Sequence, residues 1–423
     1  MVRFNKNKVL LASTAVAAVM VANTAFAGGF ALREQSSYYQ GMSFAGNATS
    51  GPSISSMFWN PAAITGAKQG LTSEAHNSFI IPRADVTGTN TVGATALPFD
   101  IGDIGSDAWI GASYAAYNLN DKFYFGLGIN APYGLSTKSD QFNWSGAGYN
   151  RSSRIFSINV NPVVGYKLND MVSFAFGAQI QYLDMRLNNS VAAPALGAAA
   201  RTNQELEGDD IGFGITAGVT VKPFQGTEIG VGFRSGVAHT IEGKLNIGST
   251  ISRSIETSFV TPEVVTISAK QNITDDIRVL GTFEWTNWSR LGTPQIINQA
   301  NGATVAPFPL NYEDGYFLAL GGEYDWNQHL TLRAGVAYEW SPIDTDIRSA
   351  RLPDNDRFWL SGGLSYNFND KLAFDLGYTH IFTQDTDIKI VPGHQDYSAT
   401  KGSLIGKADA AVDIFSASMR YTF

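Results

Sequence analysis

Cysteine is absent from all 423 residues, so the chain has no disulfides and no thiolate chemistry, and it must be stabilised in some other way. Charged residues are scarce at 16%, and the basic ones are outnumbered, 29 Lys and Arg against 37 Asp and Glu. A net charge of −8 disfavours nucleic acid as a partner. No linker interrupts the chain: there is no Pro/Ser-rich spacer, no charge block and no helical periodicity after residue 70. No blade-length repeat occurs either, which argues against a propeller.

Glycine and aromatics are abundant, with 43 Gly and 12% Phe, Trp and Tyr. At the start, Arg3, Lys6 and Lys8 precede the apolar "VLLASTAVAAVMVA", and "AFA" stands before Gly28. That order is a secretory signal peptide over residues 1–27, too short in its apolar stretch for a membrane anchor. Its removal takes away three cations and no acids, which moves the formal charge from −8 to −11.

From residue 70 onward the pattern has period two. In "VSFAFGAQIQYLD", Val172, Phe174, Phe176, Ala178, Ile180 and Tyr182 share one face, and Ser173, Ala175, Gly177, Gln179 and Gln181 share the other. "KLAFDLGYTHIF" and "RVLGTFEWTNW" repeat the alternation. Mean hydropathy near zero conceals it, because apolar outward and polar inward residues average out. Short turns at 118–122, 167–171, 222–226, 272–276, 325–329 and 367–371 alternate with long polar or Gly-rich loops. Short turns at one end and long loops at the other describe an outer-membrane barrel. The spacing gives about fourteen strands starting near residues 70, 107, 122, 153, 171, 209, 226, 261, 276, 312, 329, 355, 371 and 409. "DIFSASMRYTF" ends the chain as a closing strand with Phe423 last.

The expected architecture is therefore all-β: a transmembrane antiparallel barrel over residues 70–423, with residues 28–69 folded inside it as a hatch. The stretch "SMFWNPAAIT" is not a strand, because Asn60-Pro61 is a turn signal, and its apolar side chains suit a plug. A lumen of this width would otherwise be an aqueous channel.

The mature start "GGFALREQSSYYQGMSFAGNA", Asn60-Pro61-Ala62, "APYGLST", "TFEWTNWS", "RLPDNDRFWLSGGLSYNF" and the terminal Phe423 together resemble the FadL/TodX-type outer-membrane transporters of long-chain fatty acids and other hydrophobic compounds. The resemblance runs in order along the mature length. It implies a Gram-negative outer-membrane location, a hatch, a hydrophobic ligand pocket, a kinked third strand, lateral release into outer-membrane lipid, no cofactor or metal, and a monomer. Phe30 matches the family's N-terminal "GF" and is implied to be a movable stopper; on the residues alone it is a frayed terminus. Asn60, Pro61 and Ala62 form the hatch motif, Asn60 being expected to satisfy backbone freed by the kink, besides its plainer reading as a turn. Pro132 and Gly134 mark the kink by resemblance and a strand end by residues alone. Asp354, Asp356 and Arg357, with Arg186, are the expected polar cluster of the pocket, and a solvated loop cluster is the plainer alternative.

Two departures stand out. The places where the family's best-known member carries basic residues for a carboxylate fall near Asn189 and Glu313, neither of them a cation, which raises neutral aromatic or aliphatic hydrocarbons as alternative cargo. The loops at 187–208 and 244–260 look short for an external collecting groove, although "SVAAPALGAAA" offers an apolar surface. Of other classes, a barrel enzyme finds no acid, base or nucleophile spacing around the five histidines. A calcium loop at Asp344, Asp346, Asp354 and Asp356 lacks the required Gly and Glu, and a diffusion porin would not begin with a plug.

Overall fold

The computed structural model describes residues 28–139, 141, 143–192 and 201–423. The expected signal segment 1–27 and the "APALGAAA" part of the apolar loop lie outside them. Fourteen antiparallel strands form one closed barrel. The first seven are Gly70–Val92; Thr95–Asp103 with Ala108–Asn118; Phe123–Asn130 with Gly134–Lys138; Ser152–Lys167; Val172–Ala192; Arg201–Phe224; and Thr227–Arg234 with Ala238–Ile247. The second seven are Ile251–Val260 with Val264–Asn272; Ile277–Thr286; Gly315–Asp325; Leu330–Trp340; Arg357–Asn367; Leu372–Thr383 with Thr386–Ile390; and Ser403–Thr422. The first strand pairs with the last from Thr72↔Thr422 to Thr91↔Ser403, so no long edge is left unpaired.

The outward face carries the expected apolar phase: Phe174, Phe176, Ile180, Leu376 and Phe415 are exposed. Four strands begin earlier than the spacing indicates, the second at Thr95, the sixth at Arg201, the eighth at Ile251 and the fourteenth at Ser403. Beyond the apolar belt both strand faces meet water, so alternation no longer marks a strand there. Residues 187–208 and 244–260 are accordingly not short loops but mostly strand, extending the barrel wall outward.

Residues 28–69 fill the lumen. A four-residue helix, Ser37–Gln40, is capped by Ser36, and two 3₁₀ turns follow, Ile54–Phe58 and Pro61–Gly66. Asn60 caps the second turn with Pro61 at its first position, where a missing N–H costs nothing. Phe44 and Trp59 pack at 5.6 Å, and Phe44 meets Trp359 of the wall at 6.1 Å. Full burial of each such side chain is worth about 1.5–3 kcal/mol. The wall admits this packing through glycine: a β-carbon at Gly232 would overlap the carbonyl of Trp59, and one at Gly335 that of Met42. Below, inward charges are neutralised in pairs. Arg333 meets Glu323 at 3.1 Å and lies 3.6 Å over the Tyr38 ring, while Arg420 meets Asp375 at 2.9 Å.

Candidate functional site: a cavity, a stopper and a break in the wall

The third strand breaks at Ala131, Pro132 and Tyr133. Below the break it pairs with the second strand from Asn118↔Tyr124 to Ser113↔Ile129; above, the two share only the bridge Gly105↔Thr137. Residues Ala108 to Ser113 of the second strand keep their pairing with the first strand. Along Ala108 to Ala112 the wall is therefore open on its third-strand side. Pro132 supplies no N–H to bridge the gap, and Gly134 opens the upper half of the strand.

The N-terminal segment lies across this opening. Leu32 N–H donates to Pro132 O and Gly134 N–H to Phe30 O, each at 2.9 Å, and Ala31 bridges Tyr133. Gln35 Nε2 donates to Ala131 O at 2.8 Å and to Leu32 O at 2.9 Å, and Tyr114 Oη donates to Gln35 O at 3.0 Å. Gln35, not Asn60, thus satisfies the backbone freed at the kink. Asn60 donates instead to Ala48 O at 2.7 Å and Val219 O at 3.1 Å, fastening its turn to the sixth strand. Ala62 N–H caps back onto Asn60 Oδ1 at 3.0 Å.

Phe30 is buried between Trp288 (ring centroids 4.7 Å) and Tyr133 (5.7 Å) and forms part of the wall of a cavity of about 370 Å³. That volume falls within the usual range of roughly 300–1,000 Å³ for small-molecule pockets. Its lining is mostly apolar: Leu135, Ile155, Met185, Leu187, Ile241, Phe259, Tyr312 and Leu352 among others. Its polar members include Asn189 of the fifth strand and Gln204 and Glu207 of the sixth, together with Arg351, Gln395, Asp396 and Lys401 of the outer loops.

Arg351 is partly buried. Its Nη1 donates at 3.3 Å each to Asn150 Oδ1, Ser153 Oγ and Asn188 O, and no carboxylate forms an ion pair with it among the described residues. Burial holds its guanidinium down at about 10. Lys401 Nζ lies 5.1 Å over the Tyr149 ring, and burial, then Arg351 and Arg201, lower its ammonium. Asp396 is the acid that acts on both cations, and burial raises its carboxyl.

The expected polar cluster is divided. Arg186 is outside the cavity, half-exposed and paired with Glu207 at 2.9 Å, because it shares the outward phase of Val172 and Tyr182. Glu313 also faces away, while its neighbour Tyr312 enters the cavity. Asp354 and Arg357 pair with each other and hold the start of the chain, Gly29 N–H donating to Asp354 Oδ2 at 3.0 Å. Asp356, on the opposite side of the backbone, accepts from Tyr338 Oη at 2.8 Å and Ser341 N at 2.9 Å. Arg351, Lys401, Gln35 and Tyr133 carry no spacing signal that would single them out in the sequence.

Residues 18–423 match the family model described as "Outer membrane protein transport protein (OMPP1/FadL/TodX)". The "Long-chain fatty acid transport protein" of Escherichia coli O6:H1 is 27% identical over 423 residues, covering 91% of this chain and 93% of that protein. The crystal structure of a Pseudomonas aeruginosa FadL homologue superposes with a TM-score of 0.85 at 22% identity, covering 93% of this chain and 100% of the other. The Pseudomonas putida toluene transporter TodX gives a TM-score of 0.66 at 15% identity, covering 91% and 97%.

Proposed function

The chain belongs to the outer-membrane transport family of OMPP1, FadL and TodX, a family of transporters and not of enzymes, and from that premise we propose that it takes up amphiphiles with one anionic head and a long apolar chain. Long-chain fatty acids are the first candidate. The observation that carries this reading is the pair Arg351 and Lys401 at one end of a mostly apolar cavity, whose two acids are Asp396 beside them and Glu207, already paired with Arg186 at 2.9 Å. A buried cation without an ion-pair partner is costly, and an entering carboxylate relieves that cost. The apolar remainder takes the chain.

Release is lateral. Cargo displaces Phe30, and residues 30–35, which act as the moving part of the hatch, leave the opening between the second and third strands. The chain then passes from apolar cavity to apolar bilayer without rehydration. Support comes from the way the opening is closed: a few hydrogen bonds from the N-terminal segment stand where a strand ladder would be. Asn189, uncharged on the cavity wall, favours a second reading with neutral hydrocarbons as cargo.

The test is uptake of labelled oleate by Gram-negative cells lacking their own outer-membrane fatty-acid transporter, at equal surface abundance of this protein and of its Arg351→Ala variant. Uptake above empty vector that falls in the variant supports the anionic reading. Uptake of toluene without uptake of oleate moves the assignment to neutral cargo.

A further inference from the structure

The first described residues lie among carboxylates. Gly28 and Gly29 are both buried. A β-carbon built on Gly28 would stand 2.7 Å from Oε1 of Glu339, so that carboxylate occupies the space beside the Gly28 Cα. The next amide, Gly29 N–H, donates to Asp354 Oδ2 at 3.0 Å. Glu34 and Glu284 complete the group. Glu34 is 2% exposed, and its Oε2 has no hydrogen-bond partner among the described residues.

Two cations face these acids. Arg33 reaches Glu284 at 2.7 Å and Glu339 at 3.2 Å; Arg357 pairs with Asp354 and lies 3.7 Å from Glu339. Trp359 Nε1 adds a hydrogen bond to Glu339 Oε2 at 3.2 Å but no charge. Four carboxylates stand against these two guanidiniums and a third, Arg234, which acts on Glu284 from a distance while donating to Phe58 O and Gln179 Oε1; the cluster is left short of positive charge in a place closed to water, where such an imbalance is strongly disfavoured. Consistent with that shortage, burial pushes the Glu34 carboxyl up to about 7, and burial also raises Asp354.

We propose that the cluster is a receptor for the mature N-terminus: cleavage between Ala27 and Gly28 creates an α-ammonium on Gly28 that binds beside Glu339 and Asp354 as a further cation and seats Phe30. Hydrolysis of the Ala27–Gly28 amide consumes one water, leaves a carboxylate on Ala27 and frees an amine on Gly28 that takes up a proton at neutral pH. The uncleaved nitrogen is a neutral amide with a chain attached, and it offers the acids neither charge nor room. Seating follows from connectivity. Phe30 is two residues from the new terminus, and its ring is locked against Trp288 and Tyr133 only when Gly28 and Gly29 are in place. Maturation of the chain and closure of the pocket floor are then one event.

The test uses the processed full-length protein in detergent or bilayer and reads the terminus itself, independently of any cargo. The α-amine is titrated by isotope-edited NMR after reductive methylation, and its acylation rate at pH 7 is compared with that of a Gly-Gly-Phe peptide. The expected result is a pKa about one unit or more above the ordinary α-amino value and acylation slowed roughly tenfold. A second protein carries one extra Ala between Ala27 and Gly28, which leaves every barrel residue unchanged while displacing the charge. In it, trypsin is expected to cut after Arg33 roughly tenfold faster, a tenfold change being about one pKa unit of lost interaction. An ordinary pKa with peptide-like acylation overturns the proposal, and so does an extension that leaves cleavage after Arg33 unchanged.

Discussion

Gly29 N–H and Asp354 Oδ2 meet at 3.0 Å although 325 residues separate them. The bond ties the start of the chain to the segment Ser341–Asp356 that precedes the twelfth strand, and Arg351 belongs to that same segment. Arg348 stiffens it by donating to Asp354 O at 2.7 Å and Ile343 O at 3.1 Å. Arg351 at the head of the cavity and the Phe30 ring at its floor therefore belong to the two segments that this hydrogen bond joins. A ligand that pulls on Arg351 pulls on the anchor of Phe30.

Replacing Arg351 by Ala removes the more deeply buried cation of the cavity. A hydrogen bond to a charged group is worth about 1.5–3 kcal/mol, so oleate affinity is expected to fall roughly 10- to 150-fold while methyl oleate changes little. Fluorescence competition on purified protein measures both. Equal losses for the two ligands would place the head group elsewhere.

The pH dependence follows from the same pair. Burial lowers Arg351 to about 10 and lowers Lys401, so both lose charge at lower pH than free side chains do. Arg351 carries its charge at neutral pH, where an anion is held. Each deprotonates as pH rises through its lowered value, and above that value the attraction is gone. Oleate binding should therefore be flat near neutrality and decline as the pH approaches about 10, with methyl oleate as the pH-insensitive control. A decline centred near pH 7 would mean that a group other than Arg351 controls binding.

Much of this protein is legible in its sequence, and what is not has physical causes. The barrel could be read because hydrocarbon outside and polar side chains inside impose period two, and the phase even foretells that Arg186, four residues on from Tyr182, faces outward. Arg201 and Ile251 could not be recognised as strand starts, because above the belt both faces are wet. The assignment of the kink's unpaired carbonyl to Gln35 rather than Asn60 depends on contacts 96 residues apart, which no local pattern records.

Gln35→Ala tests how the wall opening is held shut. The change leaves Ala131 O and Leu32 O without their donor, at a cost of about 1–3 kcal/mol for groups that stay buried. The ladder of the first strand with the second and fourteenth is untouched, so the melting temperature of the barrel should hardly move. Amide exchange at Leu32 and Gly134, whose N–H groups bond across the seam, should accelerate roughly 5- to 150-fold. Unchanged exchange at these two amides would mean that the backbone bonds and packing hold the seam without help from Gln35.

Phe30→Ala separates stopper from scaffold. The ring fills the space between Trp288 and Tyr133, and its removal enlarges the cavity at that end without touching a strand. Deleting residues 28–69 goes further: it strips the lumen of Tyr38 and Arg33 and leaves Glu323, Arg333 and Glu284 facing water in an open pore. In planar bilayers the truncated barrel should conduct ions steadily, while Phe30→Ala should stay nearly as closed as the native protein, because the ion-paired layer around Arg333, Glu323, Arg420 and Asp375 still blocks the lower lumen. Oleate uptake should be impaired in both, since an apolar cargo needs the gated side opening and not an aqueous path. If Phe30→Ala conducts as the deletion does, the lower layer is no seal, and the barrel works as a pore closed by a single ring.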